Sequence, residues 1–255
     1  MNLSGLDWVL WVSGFIGHMA LFSTLIYRRR WREFPVFTTR VGYRATISVA
    51  LFSIYMWGSP GWYSRIYYSN ELLDFALRLG VIWEVARIVM RPTGSWVRDA
   101  RKQFILGGAA GILLAAALSW MLSPPASTLF DLMEARANLF TDLVVCELFV
   151  VMLLTAKRLG LGFRNHVFAL VLGWSGWVIA AMAVDLLHGY LGTRFYFDAL
   201  ENVHKFAYLA ALVYWIIQFW LNEPPRQEIS PELRDYILAL HNRVKIDLDK
   251  VDAQR

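Results

Sequence analysis

The chain has 255 residues, 57% hydrophobic and only 18% charged, against about 25% charged in an ordinary soluble domain, which argues against a water-soluble globule. Its net charge of +5 does not point to nucleic acid, because the basic residues stand beside apolar runs, where loop charges set membrane topology; attraction to anionic lipid is the expected consequence. The single cysteine, Cys146, excludes an intramolecular disulfide.

Seven apolar runs follow in chain order, each long enough for a helix across a bilayer core of about 30 Å, which takes about 20 residues. The first, Leu6–Tyr27, ends at Arg28, Arg29, Arg30 and Arg32, a strong cytoplasmic anchor. It lacks a basic n-region, and arginines follow it rather than precede it, so it reads as a retained span and not a cleaved signal. The second, Val36–Trp57, follows Pro35. The next stretch (Gly58, Pro60, Gly61, Trp62, Tyr63, Tyr67, Tyr68, with Arg65) is expected to be a loop along the outer interface, where Trp and Tyr prefer to sit.

The third run, Leu72–Met90, contains Asp74, Arg78, Glu84 and Arg87. Charges within a span are costly in lipid, so this helix should face protein or water. Arg91, Arg98, Arg101 and Lys102 return the chain to the cytoplasm. The fourth run, Phe104–Leu122, carries Gly107, Gly111 and Ala115 at four-residue spacing, a stripe that lets helices approach closely. Ser123, Pro124 and Pro125 break the chain outside. The fifth, Ala135–Ala156, ends at Lys157 and Arg158; the sixth is His166–His188; the seventh, Ala199–Leu221, is stopped by Pro224 and Pro225.

Most of the 25 basic residues fall in three alternate loops and the tail, while the other connections hold little beyond Arg65, Arg136 and Arg194. The expected fold is therefore all-α: a polytopic bundle of seven transmembrane helices over residues 1–222, in the bacterial inner membrane, with the N-terminus outside and the C-terminus cytoplasmic. Six spans, with the third run misread, is the rival. Residues 223–255 form a cytoplasmic tail. There Ser230 and Pro231 resemble a helix start, and Leu233, Ile237, Leu240, Val244, Leu248 and Val251 mark an amphipathic helix over 230–251. It either lies on the membrane or packs under the bundle, or it forms a short coiled coil that joins two copies or docks a protein partner.

Ionisable groups at membrane depth are the candidate functional residues. Glu84 with Arg87, and Asp74 with Arg78, can neutralise each other along one helix; alternatively Glu84 lines a polar cavity or proton path. Asn138, Asp142 and Cys146 share a face, with Glu147 off it. Asp142 has no basic residue one turn away, so its partner comes from another helix or it carries a proton. Asp185 and His188, then Glu201 and His204, are each three apart near the outer ends of adjoining spans, a donor set that suits zinc or another divalent metal. His18 would add a ligand or hydrogen-bond within the bundle. Lys205, with Glu201 four residues before it and Trp174 and Trp177 in the sixth span, resembles the retinal lysine of microbial rhodopsins in its helix. Its place about two turns from the outer end, where lysine snorkels, and the lack of their third-helix pattern weigh against retinal.

Three segments carry a wider resemblance: RRRWREFPVF at Arg28–Phe37, WEVARIVMRP at Trp83–Pro92 and LGLGFRNHV at Leu159–Val167. With the seven-run layout, the chain resembles an uncharacterised family of short seven-helix membrane proteins of soil bacteria, especially acidobacteria. The resemblance implies architecture, no particular activity, and Phe34, Pro35, Phe37, Glu84, Arg87 and Pro92 as family-type positions.

The functional expectation is a non-enzymatic membrane protein, sensory or an accessory subunit of a complex. The alternatives are a metal-dependent intramembrane hydrolase using Asp185, His188, Glu201 and His204, in which zinc activates water, and a transporter or proton conductor through Glu84 and Asp142. No inverted repeat supports the last. Spans one, two and four look like apolar scaffold, which puts any activity among spans three, five, six and seven, in the outer half.

Overall fold

A computed structural model describes residues 5–57, 60–89, 97–121, 129–159, 165–191 and 197–223, together with Asp235 and Ala239; at some helix ends it describes the backbone alone. The chain divides into two compact units, Met1–Glu223 and Pro224–Arg255. Among the described residues there are seven α-helices and no strand: α1 (Gly5–Tyr27), α2 (Pro35–Trp57), α3 (Pro60–Val89), α4 (Val97–Met121), α5 (Leu129–Leu159), α6 (His166–Leu191) and α7 (Phe197–Trp220), with a 3-10 turn at Arg30–Arg32. The amphipathic helix expected over 230–251 lies outside the described residues, apart from Asp235 and Ala239, which are helical and exposed.

Three helical segments are long and apolar enough to cross a membrane: Trp8–Tyr27, Leu129–Leu154 and His166–Val184. A multi-pass membrane protein is compatible with them. The third helix departs from expectation. It starts at Pro60 and runs for 30 residues, so most of the aromatic stretch read as an interfacial loop is its first turns. Proline suits the first helical position, and Tyr67 and Tyr68 find partners on α5. Tyr67 donates to Glu134 at 3.2 Å and Tyr68 to Asp131 at 3.3 Å. Their ring hydroxyls are satisfied by a neighbouring helix rather than by headgroups.

α1 packs on α2, α2 on α3, α4 on α5, α5 on α6 and α6 on α7; α3 also touches α5 and α6, and α1 packs against α7. The small-residue stripe brings α4 onto α5. A Cβ placed on Gly107 would lie 3.3 Å from Val151, one on Gly111 would lie 2.6 Å from Glu147, and Ala115 is fully covered.

The hydrophobic core joins Leu21 and Leu25 of α1, Phe37 of α2, Val81 and Val85 of α3, and Trp215 of α7, among others. Phe37 meets Trp215 edge-on, with ring centroids 5.5 Å apart. Large apolar side chains nevertheless remain on the outside: Leu106, Leu113 and Leu154 are 69%, 72% and 76% exposed, while Asp74, Arg40 and Glu84 are 0%, 4% and 6% exposed. That is the reverse of the usual distribution, in which charged residues are almost never fully buried unless paired.

Candidate functional site

The buried charges converge on Asp74. Arg40 and Arg44 stand one turn apart on α2, and Asp74 and Arg78 one turn apart on α3, so both pairs face across the α2–α3 contact. Arg44 grips the carboxylate with two parallel bonds, Nε to Oδ1 at 3.0 Å and Nη2 to Oδ2 at 2.6 Å. Arg40 repeats this more loosely, at 3.1 and 3.5 Å, and Arg78 donates Nε to Oδ2 at 2.7 Å. Bidentate guanidinium–carboxylate bonds of this kind are the strong, geometrically specific ones. Arg78 reaches onward with Nη1 to Asn138 Oδ1 at 3.0 Å and to Asp142 Oδ1 at 4.0 Å on α5. The cluster therefore ties α2, α3 and α5 together.

A second arm extends from Arg40 towards α6, α7 and α1. Its guanidinium lies over the Trp174 ring, 5.1 Å from the centroid. The Tyr208 hydroxyl lies within electrostatic reach of both Arg40 and Arg44 and 2.7 Å from His18 Nε2. His18 Nδ1 lies 2.7 Å from the Gly14 carbonyl. A neutral ring meets both contacts when Nδ1–H donates to that carbonyl and Nε2 accepts from Tyr208. Trp177 stacks on His204 at 5.6 Å and meets Tyr208 edge-on at 5.1 Å. Of the two sequence readings of His18, hydrogen bonding within the bundle describes its contacts.

Glu84 serves the first turn of α2. A helix begins with N–H groups that have no intrahelical partner, and the sequence Phe34-Pro35 offers no side-chain cap. Pro35 has no N–H, Val36 and Phe37 donate to the two Glu84 oxygens at 2.8 and 3.0 Å, and Thr38 donates to the Phe34 carbonyl at 3.0 Å. The carboxylate also sits where the helix dipole favours negative charge. The Glu84–Arg87 pair expected along α3 is not formed among the described residues: Arg87 is exposed, and the two Glu84 oxygens turn to α2 instead. Asp74 and Arg78 do pair, as expected, at 2.7 Å.

The other candidates are dispersed. Among the described residues no group of three or more His, Cys, Asp or Glu side chains is placed to hold a metal ion. The side chains of Asp185, His188 and Glu201 lie outside the described residues, so of that proposed zinc set only His204 is seen, on the Trp177 ring. Lys205 is half-buried on α7. Glu147 lies along Gly111, and Cys146 is half-buried. Glu84 and Asp142 are not brought together: Asp142 is beside Arg78, six residues or about 9 Å of helix rise from Glu84.

Compared with protein-family models, curated proteins and solved structures, the chain matches none. What the site does must follow from its own geometry.

Sequence reasoning missed Arg40 and Arg44, and with them the role of α2, which was expected to be plain scaffold. The signal was present. Two arginines four apart inside a run read as a span share one helix face, the same feature that singled out α3. Chemically, the cluster is a fixed field of guanidinium groups. Arginine keeps its charge in proteins, so Arg40, Arg44 and Arg78 can hold anionic or acceptor groups but cannot relay protons.

Proposed function

We propose that the chain is a seven-span integral protein of the bacterial inner membrane, with its N-terminus outside and its C-terminus in the cytoplasm, acting without catalysis as a sensor or as an accessory subunit of a membrane complex. The observation that carries the membrane reading is the reversed distribution of side chains, with Leu113 and Leu154 outside and Asp74 and Arg40 inside. In lipid this arrangement is favourable, because apolar faces meet hydrocarbon and charges pair within the bundle. Burying an ion cluster rarely adds stability over apolar packing, so its place at the junction of α2, α3, α5 and α6 favours a functional reason. A change at one of these helices disturbs bonds to the others, which suits a sensor. The apolar stripe over residues 230–251 offers a surface by which the change is reported to a partner.

The orientation is tested with reporter fusions. A fluorescent protein fused after Arg255 is expected to fluoresce and alkaline phosphatase there to be inactive, whereas phosphatase inserted at residues 123–125 is expected to be active. The opposite result at either site rejects the orientation. The role is tested by affinity purification from native membranes. A specific partner that copurifies with the full chain and is lost on deletion of residues 230–255 supports it; a lone monomer, unchanged by that deletion, removes it.

A further inference from the structure

The first residue of α6 holds the chain that follows α7. Asn165 caps α6, its Oδ1 accepting from the Val167 N–H at 3.0 Å. The next side chain, His166, is 2% exposed and stacks on Phe219 with ring centroids 5.3 Å apart. Its Nδ1 lies 3.0 Å from Glu223 Oε2 and its Nε2 lies 3.2 Å from the Leu221 carbonyl oxygen. A neutral imidazole carries one N–H and one lone pair. A carbonyl and an ionised carboxylate only accept. Either neutral tautomer therefore turns a lone pair towards an oxygen, whereas the imidazolium donates to both. Moving the Nδ1 hydrogen onto Glu223 leaves the same two hydrogens on the pair and the same two bonds. Removing one hydrogen from the pair breaks one bond in every arrangement. His18 differs: it faces a carbonyl and a hydroxyl, which one ring hydrogen satisfies.

The other charged groups described at this end of the bundle leave that requirement in place. From the turn between α1 and α2, Arg30 Nη2 donates to the same Leu221 carbonyl at 3.4 Å and its Nη1 to Glu33, while Arg28 donates to Asn222. On α3, Glu84 is bound to the Val36 and Phe37 N–H groups and Arg87 is exposed. On α5, the described charged side chain nearest the α6 connection in sequence is Glu147, which lies along Gly111. None of these gives the Glu223 carboxylate or the imidazole a second way to satisfy the other. The cation also faces the C-terminal end of α7, where a helix favours positive charge. Histidine is the side chain that changes charge between about pH 5 and about pH 8, so this contact forms on the acid side of that range and is lost as pH rises.

We propose that His166 and Glu223 form a proton-operated latch between the start of α6 and the end of α7, closed while the pair holds two hydrogens and open once a rise in pH removes one. Glu223 is the last residue of the first compact unit, directly before Pro224, so the latch fixes the residues from which the tail departs. As the stimulus of a sensor it rests on the function proposed above; as a titrating contact it stands alone.

The test uses the full-length protein purified in detergent without any partner, so its outcome is separate from that of the copurification experiment. Hydrogen exchange over residues 219–223 is measured at about pH 5 and about pH 8, each corrected for the intrinsic pH dependence of exchange. Corrected protection is expected to fall about tenfold at the higher pH, the loss of roughly one charge-assisted hydrogen bond. Selective 15N labelling of the histidine rings is expected to show both His166 nitrogens protonated at the acid end. Glu223→Gln is the deciding variant. Its amide can donate to a neutral Nδ1 while Nε2–H stays on the Leu221 carbonyl, so protection is expected to persist at both pH values. A merely structural contact would not gain that independence of pH. His166→Gln is expected to lower protection at both pH values, and should it fail to fold, Glu223→Gln still decides. Equal corrected protection of the wild type at the two pH values, or an unchanged pH response in Glu223→Gln, overturns the proposal.

Discussion

Asp74→Asn is expected to be the most damaging single change in the bundle, with a loss of about 3 to 5 kcal/mol, the usual result of removing one partner from a buried ion pair. Asp74 is fully buried and holds Arg40, Arg44 and Arg78 at once. Asparagine keeps the size but removes the charge, and its amide hydrogens then face guanidinium donors. Arg40 and Arg78, both nearly buried, are left as uncompensated charges. Thermal unfolding in detergent, followed by the loss of monodisperse protein, measures the effect. The partner variants sharpen it: residues in one network couple non-additively, so Asp74→Asn combined with Arg40→Gln should cost less than the sum of the two alone. Strict additivity, or a wild-type melting profile for Asp74→Asn, would show that the three contacts do not act as a network.

Glu84→Gln is expected to cost about 2 to 3 kcal/mol, within the range for losing a charge-assisted bond to a buried donor and leaving that donor unsatisfied. Glutamine keeps one acceptor oxygen and turns an NH2 group towards the second backbone N–H, so of Val36 and Phe37 only one remains capped. The charge favoured by the helix dipole is lost as well. Because Phe34 and Phe37 are buried beside that turn, fraying there exposes the core of the bundle at one end. Hydrogen exchange localised to residues 35–38, together with the melting point, reads out the change; a Glu84→Gln protein with unchanged protection there would sink the capping role. Glu84→Asp is the informative companion, since it restores the charge but shortens the reach by one methylene, and it should fall between wild type and Glu84→Gln.

Much of the helical layout was legible in the chain itself. Apolar runs bounded by arginine clusters and Gly/Pro breaks gave the positions of the seven helices seen among the described residues, and the Gly107-Gly111-Ala115 stripe pointed to the close approach of α4. The Asp74–Arg78 pair was legible too, because it is an i,i+4 contact on one helix, where spacing alone places the side chains together. The start of α3 was not, since Tyr and Trp serve equally as headgroup anchors and as packing residues, and only the presence of Glu134 and Asp131 on α5 decides between them.

The site was legible in part, for the same reason. Glu84 has a plausible partner one turn away in Arg87, yet its carboxylate goes to backbone N–H groups nearly fifty residues distant, whose need arises only because Phe34-Pro35 supplies no cap. By itself the sequence determined the all-helical character, the apolar segments and the local ion pair, because these depend on composition and on contacts within a few residues. The tertiary structure decided that Arg40 and Arg44 share Asp74, that Glu84 caps another helix, and that the Arg40 guanidinium lies over the Trp174 ring. Each of these depends on which faces of distant helices meet, and the distance, angle and burial of such a meeting are set by packing, which no local spacing encodes.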